Sequence, residues 1–430
     1  MKIDSKDISV VVQGAVSKEL NRNDKLAPTD TDYSKKCILT PTFSGHFSFI
    51  EKYLKSFDKY VEDKEKCIIY FVISKNEAAE LEKILRRFKR VNATSLFLED
   101  VLNKFNISES CDEILNKYTR YSYQAIKKFY SMLYLKDYKR FLVLDSETMW
   151  VRKTNIEKMF DDFFKNPKIY YSDSIPREEE FKNVPNSNSA LNRQIIDNVN
   201  YLLNDPKNNK WFVEQFMRFW CSDILEDIIQ KHGTFWNMVL KISKRDAGKI
   251  SFGLFESVLY DQFIYNNNDK YGYELVNIDR TIEKYLSNDE ISKYKHTYDK
   301  MFLGGAGLYE HFALFLDKDN VSGFSKYYID NNINIVRIEN SERNYKYQNI
   351  FMKMVKPNIL TCSQGHLFGV NSTFFDKISK LCKIEKKLRK LNKNLKTLFL
   401  PLEWFRSLIL SIFYIFEILV KIAFNFWRVL

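Results

Sequence analysis

Between Cys37 and Glu147 short apolar runs alternate with amphipathic stretches, and this alternation constrains the fold more than any other feature of the chain. Cys37–Thr42, Cys67–Ile73, Ser95–Leu98 and Arg140–Glu147 read as strands, the last stopping abruptly at two acids. Runs that are apolar throughout suit strands covered on both faces. Phe47–Val61, Glu77–Phe88 and Tyr121–Leu135 carry apolar residues at helical spacing. Strand and helix in strict turn predict an open α/β, Rossmann-like sheet. Sheets of this kind take their ligands beyond the carboxyl ends of the strands. Asp145 and Glu147 sit at such an end.

Outside this block the pattern is looser. Ile8–Val12 reads as an early strand and Asn21–Asp32 as a polar linker. Thr154–Asn268 is mostly helical by periodicity, with an Asn-rich stretch at Asn183–Asn192, and Ile333–Ile338 and Leu367–Val370 suit late strands. The expected organisation is therefore an N-terminal strand and linker (1–36), a central domain (37–378) and a tail (379–430). The central domain divides into halves at 37–153 and 154–378.

Two carboxylates one residue apart on an extended chain point to the same side, about 7 Å apart at their Cα atoms. Hard divalent cations take such oxygen ligands, and Mg²⁺ favours one or two carboxylates together with substrate phosphates. An ordinary polar strand end would carry the same triplet. The apolar strand and helix immediately before Asp145 favour the metal reading.

Other chemistries find little support. The six cysteines are widely spaced with no C-x-x-C pair, which argues against a zinc ribbon or disulfide scaffold and for a reducing cytosol. The polar amino terminus shows no secretory signal. Five histidines without H-E-x-x-H spacing leave a zinc hydrolase unsupported. The net charge of +12 favours an anionic partner. Nucleic acid is disfavoured, because much of the excess is concentrated in one tail cluster and no RRM, KH or zinc motif occurs.

The segment Tyr123-Gln124-Ala125-Ile126-Lys127-Lys128-Phe129-Tyr130, followed by Tyr138 through Asp145-Ser146-Glu147-Thr148, resembles GT-A glycosyltransferases. The likeness is to bacterial enzymes of surface polysaccharide and lipopolysaccharide synthesis, and partly to family 8 transferases. It covers about thirty residues and implies a GT-A-like nucleotide-sugar-binding domain with a mostly helical acceptor side. It also implies Mn²⁺ or Mg²⁺ at Asp145 and Glu147, with Ser146 between them, although Glu147 stands where the family usually has Asp. Gln124 and Lys127, three apart on one helix face, would border the donor sugar or phosphate, or Lys127 would be a solvated surface lysine. Thr40 and Thr42 would border the nucleobase and ribose.

Ser251–Phe263 loosely resembles the acceptor-side segment of these transferases, making Glu256 and then Asp261 candidates for acceptor binding or general base; two solvated helix acids would look the same. His366-Leu367-Phe368-Gly369 matches an H-x-x-G pattern whose histidine completes the cation site in family 8 enzymes. The implied partners are a nucleotide sugar and a glycan or glycolipid acceptor. The alternative from another class is a non-catalytic membrane-associated scaffold or anion-binding protein.

The tail holds Lys380, Lys383, Lys386, Lys387, Arg389, Lys390, Lys393 and Lys396, with Leu381, Ile384, Leu388, Leu391 and Leu395 at helical spacing. An aromatic stretch to Leu430 follows, broken by Glu403, Arg406, Glu417, Lys421 and Arg428. Its longest uncharged run, Ser407–Phe416, is short of the roughly 20 residues a span requires. A basic helix before an amphipathic aromatic one suits peripheral attachment to an anionic inner leaflet from the cytoplasm. A helical cap or an oligomer contact is the other reading.

Overall fold

The computed structural model of the chain describes residues 35–172, 188–212, 218–246, 253–277, 280–281, 284–289, 318–331, 333, 335–338 and 345–362. All belong to the first of two units, Met1–His366 and Leu367–Leu430. The expected strands at Ile8–Val12 and Leu367–Val370, the linker, His366 and the tail lie outside the described residues.

The strands are β1 (Lys36–Pro41), β2 (Ile68–Ile73), β3 (Ala93–Phe97), β4 (Arg140–Val143), β5 (Thr148–Trp150), β6 (Lys168–Ser172), β7 (Trp211–Phe212), β8 (Phe219–Cys221), β9 (Glu274–Asn277), β10 (Ile335–Ile338) and β11 (Ile359–Cys362). The helices that matter here are α1 (Phe47–Tyr60), α2 (Ala78–Leu85), α3 (Leu98–Lys104), α4 (Cys111–Lys117), α5 (Arg120–Tyr134), α6 (Ile156–Lys165), α7 (Asn188–Leu203), α8 (Ser222–His232), α9 (Phe235–Arg245) and α10 (Glu256–Asn266).

The main sheet runs β3-β2-β1-β4-β8, the first four strands parallel and β8 antiparallel at the edge. The α/β expectation is met. From β1 the chain builds outward through β2 to β3, then returns to place β4 on the other side of β1. The strand order therefore reverses between β1 and β4, and such a reversal opens a crevice at the strands' carboxyl ends.

Side chains alternate across the sheet, so Phe219 and Trp220 of β8 face opposite ways. Ile38, Phe71, Leu142 and Phe219 pack with Tyr53 and Phe57 of α1 and Phe160 of α6 on one face. On the other, Phe129 of α5 meets Trp220 and Phe235 of α9, ring centroids 5.5 and 4.4 Å away. Each fully buried side chain of this size contributes roughly 1.5–3 kcal/mol. Helix α5 starts where the Thr119 hydroxyl accepts the Ser122 N–H at 3.1 Å, a side-chain cap for an otherwise unsatisfied donor.

Three local outcomes differ from the sequence reading. Leu98 opens α3 instead of closing a strand. The largely helical middle contributes β6, β7 and β8 as well, strands of two to five residues that show no period of their own. Most importantly, β4 ends at Val143, and Asp145–Glu147 form the turn that carries the chain to β5. The turn arises because β5 pairs with β11 in a second sheet, β10-β11-β5, anchored by fully buried Trp150 against Phe57. Both ends of the acidic turn are thus held by different sheets.

Candidate functional site

At the end of β1 the chain passes through Thr42, whose N–H donates to the Val72 carbonyl at 3.0 Å. Its own carbonyl accepts from Lys127 Nζ at 2.8 Å. Thr40, Thr42 and Lys127 are all buried. Burial pulls the Lys127 ammonium down to about 8. Lys127 therefore braces the β1 end through the Thr42 carbonyl, and Gln124, one turn earlier, is half-buried on the same helix.

Successive helical residues diverge by about 100°, so Lys128 points elsewhere. Its ammonium pairs with Glu256, the first residue of α10, and lies 3.7 Å from Asp145 Oδ1. Lys128 and Glu256 are both almost fully buried, whereas the Asp145 side chain is 40% exposed. The same Asp145 oxygen accepts from Arg218 Nη1 at 3.0 Å. Arg218 arrives through β8: its carbonyl accepts the Val143 N–H at 2.8 Å, which sets it beside the last residue of β4. Two buried cations thus converge on one carboxylate that opens to the crevice.

Helix α10 is fixed relative to these groups. The Tyr260 hydroxyl accepts the Cys221 N–H at 2.7 Å, and its ring stacks on Trp220. Before the helix, Gly253 has φ +67°, and a Cβ there would collide with the Thr119 and Ser122 hydroxyls. The Ser122 hydroxyl accepts the Leu254 N–H at 3.0 Å, tying the α10 entry to the start of α5. Asp261 lies five residues beyond Glu256 on α10, fully buried, and among the described residues neither carboxyl oxygen has a hydrogen-bond partner. Burial pushes its pKa well above the ordinary carboxylate value, and the nearby Arg218 charge opposes that rise.

The other half of the turn behaves differently. Buried Ser146 donates to Glu147 Oε2 at 2.9 Å, and its oxygen is 2.7 Å from His46 Nδ1. Since the single hydroxyl proton goes to Glu147, His46 is the donor to Ser146 and carries its proton on Nδ1. Glu147 Oε1 is itself 3.4 Å from His46 Nδ1. Burial lowers the His46 pKa, and Asp145 partly raises it again. Phe43, 46% exposed, lies against the His46 ring with centroids 4.3 Å apart. Gly45 makes this approach possible, since a Cβ there would run into the Phe43 ring.

Sequence-predicted residues Thr42, Lys127, Asp145, Ser146, Glu147 and Glu256 thus gather around the ends of β1 and β4. Thr40 and Asp261 stay in the core, and His366 is outside the described residues. Arg218 and His46 were missed. Arg218 had no local signal, because its place depends on antiparallel pairing across more than seventy residues of chain. His46 could have been found as the polar residue in the loop directly after a buried strand.

The donor set suits a hard divalent cation. Asp145 and Glu147 supply carboxylate oxygens at one turn, and Mg²⁺-like ions complete their shell with substrate phosphate and water. Among the described residues no group of three His, Cys, Asp or Glu side chains is clustered to hold a metal. The two acids would therefore share the ion with its substrate.

No family model matches this chain, and no curated protein matches it in sequence. Among solved structures it is similar to mouse xyloside xylosyltransferase 1 in its apo form, with 10% identity, TM-score 0.34, and 76% of this chain and 96% of that one covered. It is also similar to core-mannan synthase A from Aspergillus fumigatus in a Mn/GDP form, with 11% identity, TM-score 0.32, and coverage of 61% and 79%. Similarity at this level assigns no role to any residue here.

Proposed function

We propose that this chain is a glycosyltransferase that moves a sugar from a nucleotide-sugar donor to a glycan or glycolipid acceptor. One observation carries the reading: the crevice between the ends of β1 and β4 brings together two acids, two buried cations and an exposed aromatic ring. A nucleoside diphosphate sugar presents complementary groups. Its base would lie on Phe43 above His46, and its diphosphate would meet Lys128 and Arg218 near Asp145. A Mn²⁺ or Mg²⁺ ion held by Asp145 and Glu147 would stabilise negative charge on the departing diphosphate. The chain's own contribution is to orient the donor and to hold fixed charges where the leaving group develops its own, which costs no reorganisation during reaction.

The likeness of Tyr123–Tyr130 and Tyr138–Thr148 to bacterial surface-polysaccharide and lipopolysaccharide enzymes suggests an acceptor of that class. The basic, aromatic tail would keep the enzyme at the inner face of the cytoplasmic membrane, where a lipid-linked acceptor is presented. Among the described residues no helix is long and apolar enough to cross a membrane. A thermal-shift screen of nucleotide sugars with and without Mn²⁺, followed by assay of nucleoside diphosphate release, tests the reading. Stabilisation by one donor and slow release of its nucleoside diphosphate are expected. If no nucleotide sugar shifts the melting temperature and none is hydrolysed, the reading fails.

A further inference from the structure

The carboxyl ends of β3, β2 and β1 are tied together by carboxylates that accept backbone N–H groups. Glu99, at the start of α3 just beyond β3, accepts the Lys75 N–H at 3.1 and 3.0 Å with its two oxygens. Lys75 opens the single turn that follows β2 and ends at Glu77. Glu77 then reaches the loop after β1, where its Oε1 accepts the Ser44 N–H at 2.6 Å.

Glu77 immediately precedes α2, so an acid there could serve the helix entry alone. The distances favour another role. Its Oε2 accepts the Ser74 N–H, the local cap, at 3.5 Å, the outer limit of a hydrogen bond. The short bond goes to Ser44, 33 residues away in the chain. Hydrogen bonds to an ionised acceptor at such lengths are the strong ones.

Ser44 follows Phe43, so the backbone is clamped on both sides of that ring. Before it, Thr42 is held by the Val72 carbonyl and by Lys127. After it, Ser44 is held by Glu77, and the His46 N–H donates to the Phe43 carbonyl at 2.9 Å. The clamped side chain is an aromatic that stays 46% exposed and rests against His46. A ligand stacking on such a ring gains affinity because the ring is ordered before it binds.

We propose that Glu77 is a positioning residue for the nucleobase, acting through the Ser44 N–H to present the Phe43 ring preformed. Glu99 sets the turn that carries Glu77. What the acid supplies is an acceptor oxygen at glutamate length, and its charge is secondary. The inference deepens the transferase reading and rests on the placement of the base on Phe43.

The test is calorimetric titration of the full chain, with Mn²⁺ present, against UDP, GDP, CDP and ADP. Inorganic pyrophosphate, which shares the diphosphate and has no base, is titrated alongside. Phe43→Ala should weaken the tightest nucleoside diphosphate by roughly tenfold or more and spare pyrophosphate. Glu77→Asp keeps the charge before α2 but falls one methylene short of Ser44. It should weaken the same ligand by roughly three- to tenfold, again sparing pyrophosphate. Glu77→Gln keeps an acceptor oxygen at full reach and should bind within about twofold of wild type. Added to Phe43→Ala, Glu77→Asp should cause no further loss, because it acts through the ring alone.

A helix-entry role gives the reverse order, with Asp tolerated and Gln weakened. That order, unchanged affinity in Glu77→Asp, an equal loss for pyrophosphate, or additive losses with Phe43→Ala overturns the inference and leaves the transferase reading standing. No loss in Phe43→Ala removes the base from this ring and the inference with it. A wild-type chain that binds none of these nucleoside diphosphates overturns both.

Discussion

Arg218 Nη1 donates to Asp145 Oδ1 at 3.0 Å, so a residue preceding the edge strand β8 holds the acid that follows the central strand β4. Asp145 is 40% exposed, and replacing it should leave the core undisturbed. Asp145→Asn is expected to melt close to wild type while lowering nucleotide-sugar turnover by about 100-fold or more, the range for losing a charge-stabilising group. Undiminished turnover in the folded variant would remove Asp145 from the site.

Glu147 is held by Ser146, and Ser146 by His46. Groups that orient a metal ligand typically change affinity by ~10–100-fold when removed. Both Glu147→Gln and His46→Ala should therefore raise the Mn²⁺ concentration needed for half-maximal activity, with excess Mn²⁺ restoring part of the rate. Activity in either variant that ignores both Mn²⁺ and chelator would contradict a cation at this turn.

Lys127 makes stability depend on pH in a defined direction. Its ordinary value of 10.5 falls to about 8 in the fold because it is desolvated. Below about 8 both folded and unfolded chains carry the proton, and the cost of burying the charge is full and constant. Between about 8 and 10.5 the folded chain has lost a proton that the unfolded chain keeps, so this contribution to stability rises with pH. Wild-type stability relative to Lys127→Met should climb by on the order of 3 kcal/mol across that window. Urea unfolding of both proteins at each end of the window measures it; a flat difference would mean the ammonium is solvated.

Glu256 neutralises Lys128 in a site where both are nearly inaccessible. Removing one partner of such a pair leaves a buried charge and costs about 3–5 kcal/mol. Glu256→Gln should lose stability on that scale, whereas Glu256→Gln with Lys128→Met should lose far less than the two single changes summed. Additive losses would show that the two side chains do not interact.

The tail can be examined separately. Eight basic residues between Lys380 and Lys396 would each contribute on the order of 1 kcal/mol at an anionic surface. Full-length protein should sediment with anionic vesicles at low salt and partly dissociate at high salt, since the charge contribution is screened and the apolar one is not. Chain lacking residues 380–430 should stay in the supernatant and still hydrolyse donor. Failure of the full-length protein to sediment at low salt would return the tail to a packing or oligomer role.

Much of the α/β architecture was legible locally. Cys37–Thr42 and Cys67–Ile73 are apolar throughout because parallel strands are covered on both faces, and their limits fall within a residue or two of β1 and β2. The α5 helix was readable from its spacing, and Asp145 from the run of apolar residues it terminates. The short strands were not, since two or three residues such as Trp211–Phe212 or Phe219–Cys221 carry no detectable period.

The site divides the same way. Sequence alone determined that acids would stand at the carboxyl end of a buried strand and that Lys127 and Lys128 would lie on the helix before it, because spacing within one element follows from backbone geometry. Only the tertiary structure decided what those residues meet. Lys127 turns to the Thr42 carbonyl and Lys128 to Glu256, a difference of one helical step. Arg218 reaches Asp145 and His46 reaches Ser146 because the pairing of β8 with β4 and the return of the chain from β3 close long loops. Those contacts join residues about seventy and a hundred positions apart. They depend on which strands become neighbours, and local patterns do not encode that choice.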